Sequence, residues 1–300
     1  SGLVPTMGWT DVYRIALLSD VHGNEAALRA VLEDLARAPC DEVVVAGDLV
    51  LFGPRPAGAL ELLRSLDARF VLGNTDRDVV RSSGEDPGLV WVAERIGAEG
   101  LAFLAELPLE VRVTPPGGDL LVVHATPTDV DGLLVTEPNP LTPWPVTTEA
   151  EAARLLGSAQ ADLVVHGHIH YASSGVRAGR RIASIGSVGF PFDGDPRAAW
   201  AVGAWDGRDW RLEHRRVSYD HEAVAAELER SGAPFAETAA ARIREARPVP
   251  FPTWVVFRQD DHGNRFEVGR TSSEAEAARQ VEAFEARGHK QTYWYQRERR

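Results

Sequence analysis

Leu163 to Ala172 read LVVHGHIHYA, an apolar run that ends in three histidines at alternate positions. A histidine pair at a strand end is by itself an ordinary surface or core feature. This one gains weight because its plan, a short run of Val, Ile and Leu closed by a polar turn, recurs along the chain. VYRIALLSD (Val12–Asp20), DEVVVAGD (Asp41–Asp48), ARFVLGN (Ala68–Asn74) and DLLVVH (Asp119–His124) share it. Helical patterns follow the first three. In NEAALRAVLEDLARA, Asn24 is placed to cap a helix whose apolar face is Ala27, Leu28, Val31, Leu32 and Leu35. Another helix is expected near Pro56 to Leu66, with further helical stretches ending near Leu107. Apolar runs alternating with helices predict an α/β core of buried, largely parallel strands.

Past His166 the rhythm changes. GVRAGRRIAS, GSVGF and AAWAVGAWDGRDWRLEHRRVS, within residues 175–218, read as short strands with turn signals. The Asp206-Gly207 pair marks a hairpin, and a second, more antiparallel sheet facing the first is expected. Asp220 to Arg247 reads as one or two Ala/Glu-rich helices, RPVPFP (Arg247–Pro252) as a linker, and the remainder as hairpin, helix and final strand. Two domains are therefore expected, 12–247 and a small appended α+β module at 253–300. TEPNPLTPWPVT (Thr136–Thr147) is expected to loop over the strand ends, and no repeat of solenoid period occurs.

At 300 residues and 44% hydrophobic content the chain can bury a sizeable core. A net charge of -12 repels phosphate backbones at long range, and no basic patch precedes the last few residues, so nucleic acid is not an expected partner. Lys290 is the only lysine, which reflects coding bias. The single cysteine, Cys40, excludes an internal disulfide and fits a reducing compartment. No apolar run approaches the roughly 18 residues of a membrane span, and no signal-peptide pattern is seen. The cytoplasm is the expected location, with no membrane partner. The opening SGLVPTMGWT has no methionine at position 1, and its first residues are set aside from the fold reading.

Several apolar runs carry a potential metal ligand at or just past the carboxyl end: Asp20 and His22, Asp48, Asn74, His124, then His168 with His170. In open α/β sheets ligands bind outside the carboxyl ends of strands, so these segments should converge on one crevice. Gly47, Gly73 and Gly167 directly precede Asp48, Asn74 and His168, where the backbone must turn sharply. Four imidazoles, two carboxylates and one amide suit Mn, Fe, Zn or Ni. One Gly-Asp turn means little; five such ends in order point to metal ligation.

SDVHGN, GDLVLFGP, VLGNTD, VHATP and HGHIH, followed by SIGSVGFPFDGDPRAAWAV, resemble the calcineurin-like metallophosphoesterases, in particular a small bacterial and archaeal phosphodiesterase-type subgroup. The resemblance runs from about Arg14 to Val217. It implies a four-layer α/β/β/α sandwich of two mixed β-sheets and a dinuclear centre. By the same resemblance Asp20, His22 and His170 hold one divalent cation, Asn74, His124 and His168 the other, and Asp48 bridges both. Mn is favoured among Mn, Fe, Zn, Ni and Mg. Two such cations share a water of lowered pKa that attacks phosphorus in line, with Asp48, Asn74 and His124 as the catalytic set. A small or nucleotide-like phosphodiester is the expected substrate. A phosphomonoesterase or protein phosphatase of the same fold, a metal-binding scaffold without activity, and a homo-oligomer are the alternatives kept open.

Two departures from the family pattern matter. Thr75 stands where many members have a histidine that protonates the leaving oxygen or binds phosphate, and a threonine hydroxyl is no general acid at neutral pH. Either the leaving group needs little help or another residue, His166 or Asp76, supplies the proton. Ala125 and Thr126, in HATP, predict a tighter pocket with the metal retained. His166 matches no family ligand and is read as a supporting residue. Arg55, Arg77 and Arg197 are candidates for binding phosphate, each equally compatible with a salt bridge. HKQTYWYQRERR (His289–Arg300) is read as an amphipathic strand with a charged tail, with partner binding or packing across a dimer as alternatives.

Overall fold

The computed structural model describes residues 12–115, 118–271, 274–288 and 291–298. The opening SGLVPTMGWT, and both ends of the HKQTYWYQRERR stretch, lie outside the described residues. The chain divides into two compact units, the first ending at Pro248 and the second beginning at Val249.

The first unit runs β1 (Tyr13–Leu18), α1 (Glu25–Leu35), β2 (Glu42–Val45), α2 (Pro56–Arg64), β3 (Arg69–Phe70), α3 (Asn74–Arg81), α4 (Pro87–Ala105), β4 (Glu110–Val113) and β5 (Leu120–Val123). It continues with α5 (Glu149–Leu156), β6 (Leu163–His166), β7 (Ala172–Arg177), β8 (Arg180–Ile185), β9 (Ala198–Trp205), β10 (Trp210–Val217), α6 (His221–Arg230) and α7 (Ala236–Glu245). One sheet has the order β10-β9-β1-β2-β3, the other β4-β5-β6-β8-β7. Both are mixed: β1, β2 and β3 are parallel while β9 runs against β1, and β5, β6 and β8 are parallel between antiparallel β4 and β7.

The sheets face each other across a buried core in which Ile15, Leu17 and Val44 meet Val122, Val165 and Ile185. Each such fully buried aliphatic side chain contributes about 1.5–3 kcal/mol. On the outer side of the second sheet Ala152, Leu155 and Leu156 of α5 cover Leu121, Val123, Val164 and Ile182. Helix α1 covers β9 and β10 on the first. Its cap is Asn24, whose side chain accepts from Ala27 N at 3.1 Å, and its buried face is Ala27, Leu28 and Val31. The result is helix, sheet, sheet, helix, with the carboxyl ends of β1, β2, β3, β5 and β6 at one edge.

Two sequence expectations need correction. The β9–β10 hairpin does not join the second sheet; it returns to pair antiparallel with β1, which would otherwise be an unpaired edge. GSVGF is not a strand, because its amides turn away to the loop after β1: Val188 N donates to Ser19 O and Gly189 N to Asp20 O, each at 2.9 Å.

The second unit is a three-stranded antiparallel sheet, β11 (Trp254–Gln259), β12 (Arg265–Thr271) and β13 (Thr292–Arg297), in the order β12-β11-β13. α8 (Glu274–Glu285) packs across it, with Phe284 stacked on Tyr293 at 5.1 Å. Among the described residues no helix is long and apolar enough to cross a membrane.

Candidate metal centre

Asp20 and His22 lie in the loop after β1, Asp48 after β2, Asn74 at the start of α3, His124 after β5, and His168 and His170 after β6. Five of these seven, Asp20, His22, Asp48, His168 and His170, take positive φ between 51° and 65°. That region is sparsely used by residues with a Cβ and marks loops whose geometry is dictated by what the side chains must reach.

The reach is short. Ligand-capable atoms of Asp20, His22, Asp48 and His170 all lie within 4.8 Å of one another. His170 Nε2 is 3.2 Å from Asp20 Oδ1, and His22 Nε2 is 3.5 Å from Asp48 Oδ2. Asp48 turns its other oxygen to a second group: His124 Nε2 is 3.5 Å from Asp48 Oδ1 and 3.0 Å from Asn74 Oδ1. His168 Nδ1 is 3.1 Å from the same Asn74 oxygen. Asp48 thus stands between two clusters, and all seven side chains come together.

The ring tautomers test whether a cation fits. His22 Nδ1 donates to Leu51 O at 2.9 Å, His124 Nδ1 to Ala46 O at 2.8 Å, and His170 Nδ1 to Phe190 O at 2.7 Å. A carbonyl only accepts, so each Nδ1 carries the proton and, in the neutral ring, each Nε2 presents a bare lone pair. Those lone pairs point at carboxylate and amide oxygens, and His22 Nε2 faces His170 Nε2 at 3.2 Å. Acceptor set against acceptor is repulsive unless a proton or a cation lies between them. Backbone carbonyls that orient ligand imidazoles are the usual surroundings of a metal site.

Electrostatics agrees. Burial pushes the Asp20 carboxyl up, but the His170 imidazole, then His124 and His22, outweigh it and hold it well below the usual range. Asp48 is likewise lowered, burial being outweighed by His124 and His22. Burial pushes His22 and His168 down to about 4, so both rings are neutral at pH 7. Ionised carboxylates and neutral imidazoles are the ligand forms that bind divalent cations.

Asp76 has a part in this geometry beyond the proton source considered from the sequence. It is fully buried, accepts Asp48 N and Gly73 N on Oδ2 at 2.8 and 3.1 Å, and accepts Leu49 N on Oδ1 at 2.8 Å. It thereby ties the loop after β2 to the start of α3. The available signal was its place at the third helical position, where a carboxylate reaches back to the cap amide. Burial and the neighbouring Asp48 push its carboxyl up to about 7. Phe192 stacks on His170 at 4.4 Å and Phe190 stands edge-on to His22 at 5.3 Å, giving that side an apolar wall.

His166 is fully buried and apart from the cluster; its Nδ1 donates to Gly167 O at 2.9 Å and its Nε2 has no partner among the described residues. The three arginines are all held by carboxylates: Arg55 by Glu227 and Glu25, Arg77 by Asp78 and Asp131, Arg197 by Asp195.

Residues 13–205 match the profile of the calcineurin-like phosphoesterase superfamily domain. An uncharacterized protein of Methanocaldococcus jannaschii is 27% identical over 226 residues, 69% of this chain and 88% of the relative. A symmetrical bis(5'-nucleosyl)-tetraphosphatase of an Acidovorax species is 34% identical over 120 residues, 36% of this chain and 42% of the relative. The crystal structure of a metallophosphoesterase from Sphaerobacter thermophilus superposes with a TM-score of 0.63 at 29% identity, covering 80% of this chain and 100% of that one. With a profile match over most of the chain and these similarities in sequence and fold, the chain belongs to the calcineurin-like phosphoesterase superfamily.

Proposed function

We propose that this phosphoesterase is a dimetal-dependent phosphodiesterase acting on a small, nucleotide-like phosphodiester. The observation that carries the reading is the position of Asp48 between two clusters of imidazoles and oxygens. Asp20, His22 and His170 would hold one cation, Asn74, His124 and His168 the other, and Asp48 both. Two bound divalent cations, Mn favoured, would supply Lewis acidity toward the phosphoryl oxygens and an activated water.

The chain's own residues do the rest. Asp48 is fixed from its backbone by Asp76 and from its side chain by Thr75, whose N–H donates to Asp48 Oδ1 at 2.9 Å. Thr75 is 6% exposed and its hydroxyl has no partner among the described residues. It can donate a hydrogen bond to a phosphoryl oxygen but cannot protonate a leaving alkoxide, which supports a diester whose leaving group departs unaided. Arg77, three residues past Asn74 on α3 and so on the same helix face, is the arginine best placed to meet phosphate. Similarity to a protein named for a nucleosyl substrate supports the nucleotide-like class. Cytoplasmic action belongs to this same reading.

Elemental analysis together with turnover of bis-(p-nitrophenyl) phosphate and p-nitrophenyl phosphate under Mn tests it. The diester should be preferred, and Thr75→His should move the preference toward the monoester. Metal-free, inactive protein sinks the enzyme reading; a monoester preference in the wild type sinks the diesterase one.

A further inference from the structure

The proline-rich loop TEPNPLTPWPVT (Thr136–Thr147) is stitched to the segments on either side of His170. Its base is closed by Val135 N–H, which donates to Thr147 Oγ1 at 2.8 Å, and by Thr147 N–H, which donates to Val135 O at 2.9 Å. The Tyr171 hydroxyl donates to Glu137 O at 3.1 Å, and Asn139 Nδ2 donates to Phe192 O at 2.8 Å. Half-buried Trp144 and Val146 pack on the apolar cluster of Val135, Ile169 and Tyr171, so the loop rests on both chain neighbours of His170. The Trp144 ring also leans against that of Phe192, tilted by 46° at 6.2 Å.

Phe192 links this loop to the metal centre. Its ring lies flat on the His170 imidazole, with 12° between the planes and 4.4 Å between the centroids, and its N–H donates to His170 O at 2.9 Å. His170 needs such a partner. The hydrogen bond from Nδ1 to Phe190 O at 2.7 Å fixes one atom of the ring but leaves its plane free to rock, because χ2 of histidine is a broad torsion. A ring stacked on one face removes that freedom. Rocking would swing Nε2 away from Asp20 Oδ1 and His22 Nε2, each 3.2 Å from it. Phe192 is held in turn, by Trp144 on its ring and by Asn139 on its carbonyl.

We propose that Trp144 and Asn139 are positioning residues that act through Phe192 to hold the His170 imidazole in its ligand orientation; this rests on the dimetal reading above. Loss of a group that orients a metal ligand weakens binding by about 10–100-fold, and here the loss should fall on the one cation His170 would hold. The full chain, stripped of metal, is titrated with Mn by calorimetry after its histidine ring protons have been read by NMR. Trp144→Ala, Asn139→Ala and Phe192→Leu should each weaken one of the two binding steps by about tenfold or more and leave the other within about threefold. The step affected should be the one that His170→Ala removes, and Trp144→Phe should restore it. Before Mn is added, the His170 ring signal, held upfield by the stacked Phe192 and identified by its loss in His170→Ala, should move downfield in Trp144→Ala and stay in Trp144→Phe. Variants that bind both Mn ions as the wild type does, an equal fall in both steps, or an unmoved His170 signal overturns the brace; if Phe192→Leu does not fold, Trp144→Ala decides. A wild type that binds one Mn or none, with the His170 signal moved by Trp144→Ala, keeps the brace and removes the dimetal reading.

Discussion

Gly73→Ala tests the crowding that fixes Asp48. Gly73 has φ -93°, a value any residue adopts, so the added methyl group is the only perturbation. A Cβ there would lie 2.9 Å from Asp48 Cα and nearer still to its amide nitrogen and Oδ1, where ordinary contact starts at 3.4 Å. The obstacle is backbone and cannot swing aside. Asp48 N and Gly73 N share Asp76 Oδ2, and Asp48 O accepts from His22 N at 2.8 Å. Relief must therefore part the two loops by something on the order of 1 Å, a displacement that costs roughly 100-fold at a reacting centre. Overpacking of this kind costs only about 1–3 kcal/mol of stability, so activity should fall far more than melting temperature. Turnover of bis-(p-nitrophenyl) phosphate under saturating Mn, beside a thermal melt, reads both. Gly58→Ala is the control, because its Cβ would meet only the flexible end of Glu25. Wild-type turnover by Gly73→Ala, or an equal loss in Gly58→Ala, refutes the reasoning.

Removing divalent cations with a chelator should lower the melting temperature, and Mn at about 1,000 times its Kd should restore roughly 4 kcal/mol; identical melts with and without chelator contradict a cation site. Asp76→Asn sets an amide NH2 against at least one of three backbone donors and should cost about 1–3 kcal/mol in urea unfolding, with weaker Mn binding. Burial pushes His166 down to about 4, so across the window from the unfolded value of 6.5 to about 4 the unfolded chain binds the extra proton. Stability is therefore lost as pH falls through that window, and His166→Leu should flatten the metal-free curve by on the order of 3 kcal/mol. Asp76, raised to about 7, acts in the opposite direction, so the variant must be compared with the wild type; curves of equal slope discard the assignment.

The strands and the seven converging side chains were legible because each lies where an apolar run stops. Such a run must be buried, and the polar residues just past its end must emerge at the sheet's edge. The partition of strands between sheets was not legible: β9 and β10 carry the alternation of a hairpin, but nothing local says which free edge they will join. Asp76 reads as a candidate proton source; its third helical position signals the bond to the cap amide, but the two further amides it accepts, from Asp48 and Leu49, leave no trace in residue types. The three arginines were visible as charges, yet sequence alone could not choose between phosphate and the carboxylates that hold them.

Because β1 is sandwiched between β2 and β9, its second neighbour is translated long after it. During synthesis the N-terminal strand must wait beside an open flank until Ala198–Trp205 has left the ribosome. Transcripts or proteolytic fragments that stop short of that point would expose a naked row of amides and carbonyls, and self-association is their expected fate.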